Sequence, residues 1–257
     1  MPNSTSKNDL AFRYSLLGVL LIVIGWQLIS LFYNQVIFPS PAETIQALLS
    51  IMISGEVLDN LITTFQRQIV GLTFGVTLGI ICGIVAGLNR KVELICQPFI
   101  YTLLSVPAIV FVVMAMVWFG MGTTMAIFLV TLLVYPTMYM NTLEGFKSID
   151  RSLLEMKQVY KLPAWITIKK IYLPGLTNSL VAGFSLSATA SVRLTIMAEL
   201  IGAREGIGQK IAVSRAYLET ERLFAWVLVL LMIIIFLEFV IIRPLNAFSA
   251  RWKQNYQ

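Results

Sequence analysis

Three observations predict an all-α integral membrane protein with six transmembrane helices. Only 12% of the 257 residues are charged, whereas a soluble domain carries about 25%. The mean hydropathy is +0.82. Six stretches approach the roughly 20 apolar residues that a helical span requires: 15–33, 62–88, 98–119, 124–143, 175–202 and 223–243.

The first span follows Lys7 and Arg13 and ends in Phe32, Tyr33, Asn34 and Gln35. No small-residue cleavage site follows, so it reads as a retained span and not a signal peptide. Residues 34–60 hold no Lys or Arg but carry Glu43, Glu56 and Asp59, which places that loop outside. Within it, Pro41 marks a helix start with Glu43 in the first turn. Ile45, Leu48, Leu49 and Met52 follow at helical spacing, so a short helix lying at the outer surface is expected.

The second span carries Gly71, Gly75, Gly79, Gly83 and Gly87, one every fourth residue. They form a groove on one helix face, and such grooves let membrane helices pack closely. Arg90 and Lys91 close this span on the inside. Pro107 in the third span and Pro136 in the fourth each remove a backbone donor and bend the helix. Both bends read as static shape.

Cations set the orientation. Lys7, Arg13, Arg90, Lys91, Lys147, Arg151, Lys157, Lys161, Lys169, Lys170, Arg243, Arg251 and Lys253 fall on one side. Arg204, Lys210, Arg215 and Arg222 fall on the other, offset by Glu205, Glu219 and Glu221. The positive-inside bias puts both termini in the cytoplasm. These loops account for the net charge of +6 without nucleic-acid binding.

Residues 144–173 are the most charged loop. Asp150 can cap a first short helix running to about Tyr160, with Leu153, Met156 and Tyr160 on one face. Leu162 precedes a proline and is biased away from helix. Pro163 can open a second short helix, with Trp165, Ile168 and Tyr172 on one face and Lys169 and Lys170 on the other. Taken by composition, the pair rests on anionic headgroups; the alternative is a surface offered to a cytoplasmic partner.

In the fifth span Asn178, Ser185, Thr189 and Arg193 recur on one face. An intramembrane cation is costly and faces a partner or a wet cavity. The stripe therefore reads as a translocation path or, alternatively, as polar glue between helices. On a path, Arg193 favours an anionic or zwitterionic solute. Arg67 and Glu199 lie at similar depths near the outer ends of their spans, which predicts a structural ion pair. Glu238 counts out deeper in the sixth span, a poor partner for Arg193 within one chain.

Chemistry of its own is not expected. Histidine is absent, no intramembrane Asp pair is present, and no G-x-x-x-x-G-K-[ST] phosphate loop occurs. Cys82 and Cys96 lack framework or ligand spacing, and no metal site is expected. The whole chain, 1–257, reads as one transmembrane domain.

From Glu155 the charged loop resembles the EAA loop of binding-protein-dependent ABC transporter permeases: E-A-A, three residues, Gly, nine residues, I-x-L-P. Glu155, Ile171, Leu173 and Pro174 fall in register, Met156 and Lys157 stand for the two alanines, and Lys161 stands for the glycine. FPSP at 38–41 resembles the nitrate, sulfonate and taurine branch. Arg67 with its glycine-rich span, WFG at 118–120, YP at 135–136 with Asn141 and Thr142, and AELIGAREGIG at 198–208 follow in the family order.

The resemblance implies a type I ABC importer permease fold in the bacterial inner membrane, and a second permease copy in a homodimer. It also implies two cytoplasmic ATPase subunits that bind ATP and Mg, and an extracytoplasmic solute-binding protein. Glu155, Gln158, Val159, Lys161 and Leu162 map onto the ATPase-coupling segment, and the fifth span onto the path. The implied activity is passage of a small solute by alternating access. The branch points to a sulfonate, taurine or nitrate, with a thiamine-precursor pyrimidine as the alternative. A stand-alone channel or an intramembrane enzyme would leave the loop register unexplained.

Overall fold

The computed structural model describes residues 4–244, and of these only the backbone for 4–13, 15, 16, 151 and 241. The side chains of Lys7, Arg13, Arg151, Arg251 and Lys253, part of the inside charge, lie outside the described set. All regular structure among the described residues is helical. The chain forms two compact units, Met1–Leu58 with Lys210–Leu230, and Asp59–Gln209 with Leu231–Gln257.

In the first unit, α1 (Ser4–Ser30) is followed by α2 (Pro41–Ile53). A reciprocal capping box starts α2: Glu43 N–H donates to Ser40 Oγ at 3.3 Å, and Ser40 N–H donates to Glu43 Oε2 at 2.8 Å. Two of the orphan donors of the first turn are thereby satisfied. Thr44, Ala47 and Ile51 are its buried face, while Ile45, Leu49 and Met52 are exposed. The apolar face read from spacing is thus turned away from this unit's core. Trp26 Nε1–H donates to Pro39 O at 2.9 Å, and Phe224 packs against both Trp26 and Phe38, with ring centroids 5.7 and 5.5 Å apart. Glu56 accepts from Lys210 and from Arg222, each at 3.1 Å.

The second unit is organised by two close helix pairs. The glycine face of α3 (Glu56–Leu88) lies on α6 (Thr123–Lys147). A Cβ at Gly71, Gly75, Gly79, Gly83 or Gly87 would strike Val130, Val134, Met138, Thr142 or Phe146 in turn, at 2.6–2.9 Å. Both series advance by four, so the helices run parallel with their backbones in near contact. The reverse face of α6 meets α9 (Leu173–Gly202) the same way but antiparallel. Gly145 abuts Ser179, Gly183 abuts Asn141, and Gly202 abuts Met125. Small residues thus supply the close dispersion contacts that hold helices together in lipid, where no hydrophobic drive exists between them.

The count of six spans is not confirmed among the described residues, which hold four, or five if the bent pair below is one span. Among the described residues four helices are long and apolar enough to cross a membrane: Glu56–Leu88, Thr123–Lys147, Ala164–Gly202 and Thr220–Val240. The stretch expected as one span at 98–119 is instead α4 (Arg90–Ser105) and α5 (Ala108–Phe119), bent by 100°. Val106 is extended at φ −77, ψ 131, as a residue before proline prefers, and Pro107 lacks the donor to continue the helix. Pro136, by contrast, sits inside an unbroken α6. The described apolar part of α1 is Leu17–Ser30.

The second short helix of the charged loop is not separate either. α7 (Arg151–Val159) stands alone, but α8 (Ala164–Thr167) runs through a π turn at Ile168–Tyr172 directly into α9. Leu173 N–H donates to Ile168 O, the i→i+5 bond of a π turn. After α10 (Ile207–Ala216), a second π turn, Glu238–Ile242, continues α11 (Thr220–Leu237) on its C-terminal side. Each π turn closes two residues before a proline, Pro174 or Pro244. Widening the turn lets the helix approach a residue that cannot donate.

Candidate functional site

Three regions of the second unit carry the polar chemistry. The first is a buried node. Arg67 Nη1 donates to Glu199 Oε1 at 2.8 Å and to Glu205 O at 2.6 Å, and its Nε donates to Thr123 Oγ1 at 3.1 Å. Glu199 Oε2 accepts from Thr64 Oγ1 at 2.9 Å and from Gly208 N–H at 3.0 Å. The two charged side chains are 4% and 0% exposed. A buried ion pair holds only when such extra bonds satisfy its remaining donors and lone pairs.

The node also stitches down the Ala203–Gly208 turn. Ile207 N–H donates to Thr64 Oγ1 and Gly206 N–H to Asn60 Oδ1, both at 3.0 Å. Gly206 has φ +108, and a Cβ there would fall inside the Glu199 carboxylate. Asn60, Thr64, Thr123 and the two glycines were not singled out by sequence reasoning. The usable signal was spacing: Asn60, Thr64 and Arg67 recur at helical intervals on one face of α3.

The second region is a cavity of about 430 Å³ between α3, α9 and the C-terminal part of α11. Its walls are mostly apolar, with Ile69, Leu72, Val76, Val192 and Ile234 among them. Thr189 and Arg193 line it; Asn178 and Ser185 do not. Ser185 is buried and its carbonyl accepts from Thr189 Oγ1 at 3.0 Å, while Asn178 is exposed near the start of α9. The four-residue stripe therefore divides. Glu238 lines the same cavity as Arg193 from a different helix, and the two form no ion pair among the described residues, as the depth count expects. At the outer end Gln68 Nε2 donates to Ser191 Oγ at 3.2 Å, fixing the register of α3 on α9.

The third region is the charged loop. Asp150 caps α7, accepting from Ser152 N–H at 2.9 Å. That backbone bond, with a further one from the Ser152 side chain, holds the Asp150 carboxyl below the ordinary aspartate range. α7 ends in a complete Schellman turn: Leu162 N–H donates to Lys157 O at 3.1 Å and Lys161 N–H to Gln158 O at 3.3 Å. Lys161 sits at φ +44, in the left-handed region that glycine normally fills. The lysine adopts the geometry of the residue it replaces. Lys157 Nζ reaches Tyr172 Oη at 3.5 Å, and Tyr172 packs on Phe146 with centroids 5.2 Å apart. This leaves Glu155, Gln158, Met156, Val159 and Tyr160 exposed.

Comparison with known proteins gives these features a context. Residues 75–254 match the family described as the binding-protein-dependent transport system inner membrane component. The chain belongs to this family. It is an ABC importer permease subunit, a multi-pass inner-membrane protein that transports and has no catalytic activity of its own. A relative named as an aliphatic sulfonates transport permease in Escherichia coli is 36% identical over 202 residues, covering 78% of this chain and 77% of that one. A Bacillus subtilis relative of the same name is 27% identical over 238 residues, 92% and 86% of the two chains. The riboflavin transport system permease of Chloroflexus aurantiacus is 28% identical over 254 residues, 95% and 93%.

Solved structures agree on the permease fold. An inward-facing methionine ABC transporter superposes with a TM-score of 0.56 at 21% identity, covering 76% of this chain and 95% of that chain. An amino acid ABC transporter solved with histidines reaches 0.61 at 14% identity, covering 79% and 97%. In the permease as described, the Arg67–Glu199 node, the Arg193 cavity and the exposed face of α7 are three separate regions of one helical unit.

Proposed function

We propose that this permease passes a small organic anion, an aliphatic sulfonate first among them, by alternating access. The carrying observation is Arg193 lining a mostly apolar cavity, in a chain 36% identical to a permease named for aliphatic sulfonates. An apolar wall suits the alkyl body and the guanidinium suits the head. Two copies of the permease form the path. Two ATPase subunits, which hold the ATP and Mg, dock on α7 and its turn, through the exposed Glu155, Gln158, Val159 and Lys161 and the half-buried Leu162. Both termini are cytoplasmic, as the loop charges require. A solute-binding protein delivers the cargo outside. ATP-driven closure of the ATPases moves the docked loops and supplies the differential free energy that any conformational shift requires.

The experiment is reconstitution of the permease with its ATPases and binding protein in liposomes. Uptake and ATP hydrolysis are measured for taurine, alkanesulfonates, nitrate, a thiamine-precursor pyrimidine and riboflavin. Stimulation by sulfonates is the expected result; stimulation by riboflavin or the pyrimidine alone overturns the assignment. The riboflavin relative, matched over 95% of this chain, and the apolar cavity walls favour that second reading.

A further inference from the structure

The cavity that holds Arg193 also holds Glu238, and the pair is not closed into a salt bridge. An uncompensated charge at membrane depth is costly, so two opposite charges lining one cavity without pairing call for a reason. They are carried by different helices. Arg193 is carried by α9, whose register on α3 is fixed by the Gln68–Ser191 bond at 3.2 Å. Glu238 is carried by the first residue of the π turn that follows α11. Ile234, Leu237, Glu238 and Ile242, at helical spacing, all line the cavity. A ligand held by Arg193 therefore lies under the field of a carboxylate.

We infer that Glu238 is a specificity residue: the cavity admits solutes with one anionic head and an uncharged or cationic remainder, and rejects dianions. This rests on the reading above that the cavity meets the transported solute. Arg193 attracts the head. A second negative group on the same small molecule must share the cavity with Glu238. At roughly 7–8 Å and an effective dielectric of about 20, that repulsion weakens binding tenfold or more. Ile69, Leu72, Val76 and Ile234 offer no donor, and Gln68, Thr73 and Thr189 already donate to Ser191 Oγ and to the carbonyls of Ile69 and Ser185.

The test uses butanesulfonate and butanedisulfonate, which share a chain and differ by one head. Isothermal titration calorimetry follows both on the full-length permease in phosphatidylcholine nanodiscs. The wild type is expected to bind the monosulfonate at least tenfold tighter. Glu238→Gln is expected to raise disulfonate affinity and shrink that ratio about tenfold, while Glu238→Asp keeps the ratio. Arg193→Gln is expected to lose both ligands. Equal binding of the two by wild type, or a ratio that Glu238→Gln does not move, overturns the inference. So does loss of butanesulfonate binding when phosphatidylglycerol is added to the disc, which would assign Arg193 to a lipid headgroup. Uptake by the reconstituted importer separates the two levels: sulfonate uptake with no effect of Glu238→Gln sinks only the inference, whereas no sulfonate uptake sinks the functional reading itself.

Discussion

Two arginine–glutamate combinations share this helical unit and behave oppositely. Arg67 and Glu199 touch at 2.8 Å, are almost wholly buried, and have further partners in Thr64, Thr123, Gly208 and the Glu205 carbonyl. Arg193 and Glu238 line one cavity without pairing. Residue type does not distinguish them. What does is whether the backbone brings enough further donors and acceptors to saturate both groups. Saturation makes a fastener, since every group in it depends on the others. An unsaturated pair beside open volume keeps its field available to a ligand.

The comparison can be broken at several points. The largest effect is expected from Glu199→Ala, which strands a buried guanidinium: about 3–5 kcal/mol, read as loss of thermal stability in detergent. Exchanging the pair, Arg67→Glu with Glu199→Arg, should recover less than half of that loss. Thr64 and the Gly208 N–H donate toward position 199 and would face an arginine. Full recovery would show that the pair, and not the network, is the fastener. Gly206→Ala should cost about 3 kcal/mol, combining left-handed strain with collision against the carboxylate, again read as a fall in Tm.

Arg193→Ala separates the two regions most cleanly. It should change stability by no more than about 0.5 kcal/mol while sulfonate uptake by the reconstituted importer falls at least tenfold. A large stability loss instead would make Arg193 a second fastener. The smallest effect is expected at the α7 turn. Lys161→Gly removes a side chain from a left-handed position and should stabilise the turn by about 1 kcal/mol, visible as a small rise in Tm with ATPase coupling retained.

How much of this was legible in the sequence depends on the kind of feature. The glycine stripe was, because a period of four in small residues has one geometric meaning on a helix. The opposite charges of Arg67 and Glu199 could be matched by depth, because both count from nearby span ends. The cap of α7 at Asp150 followed from local chemistry. The depth count made Glu238 a poor partner for Arg193, and the two form no ion pair, but it did not reveal that both line one cavity. The stripe of Asn178, Ser185, Thr189 and Arg193 was visible as periodicity, but periodicity names a face and not what covers it. The bend at Val106–Pro107 was expected as a kink within one span, and the structure breaks the helix there by 100°.

The sequence by itself determined that this chain lives in a bilayer, which helix faces approach closely, and where the loop with the family register begins. These follow from composition and from spacing along a single helix. Only the tertiary structure decided that Lys161 completes a glycine-type turn, that α8 continues into α9, and which charges are fastened and which are left facing a cavity. Those outcomes depend on the relative register, bend and turn width of several helices at once, and no one segment encodes that alone.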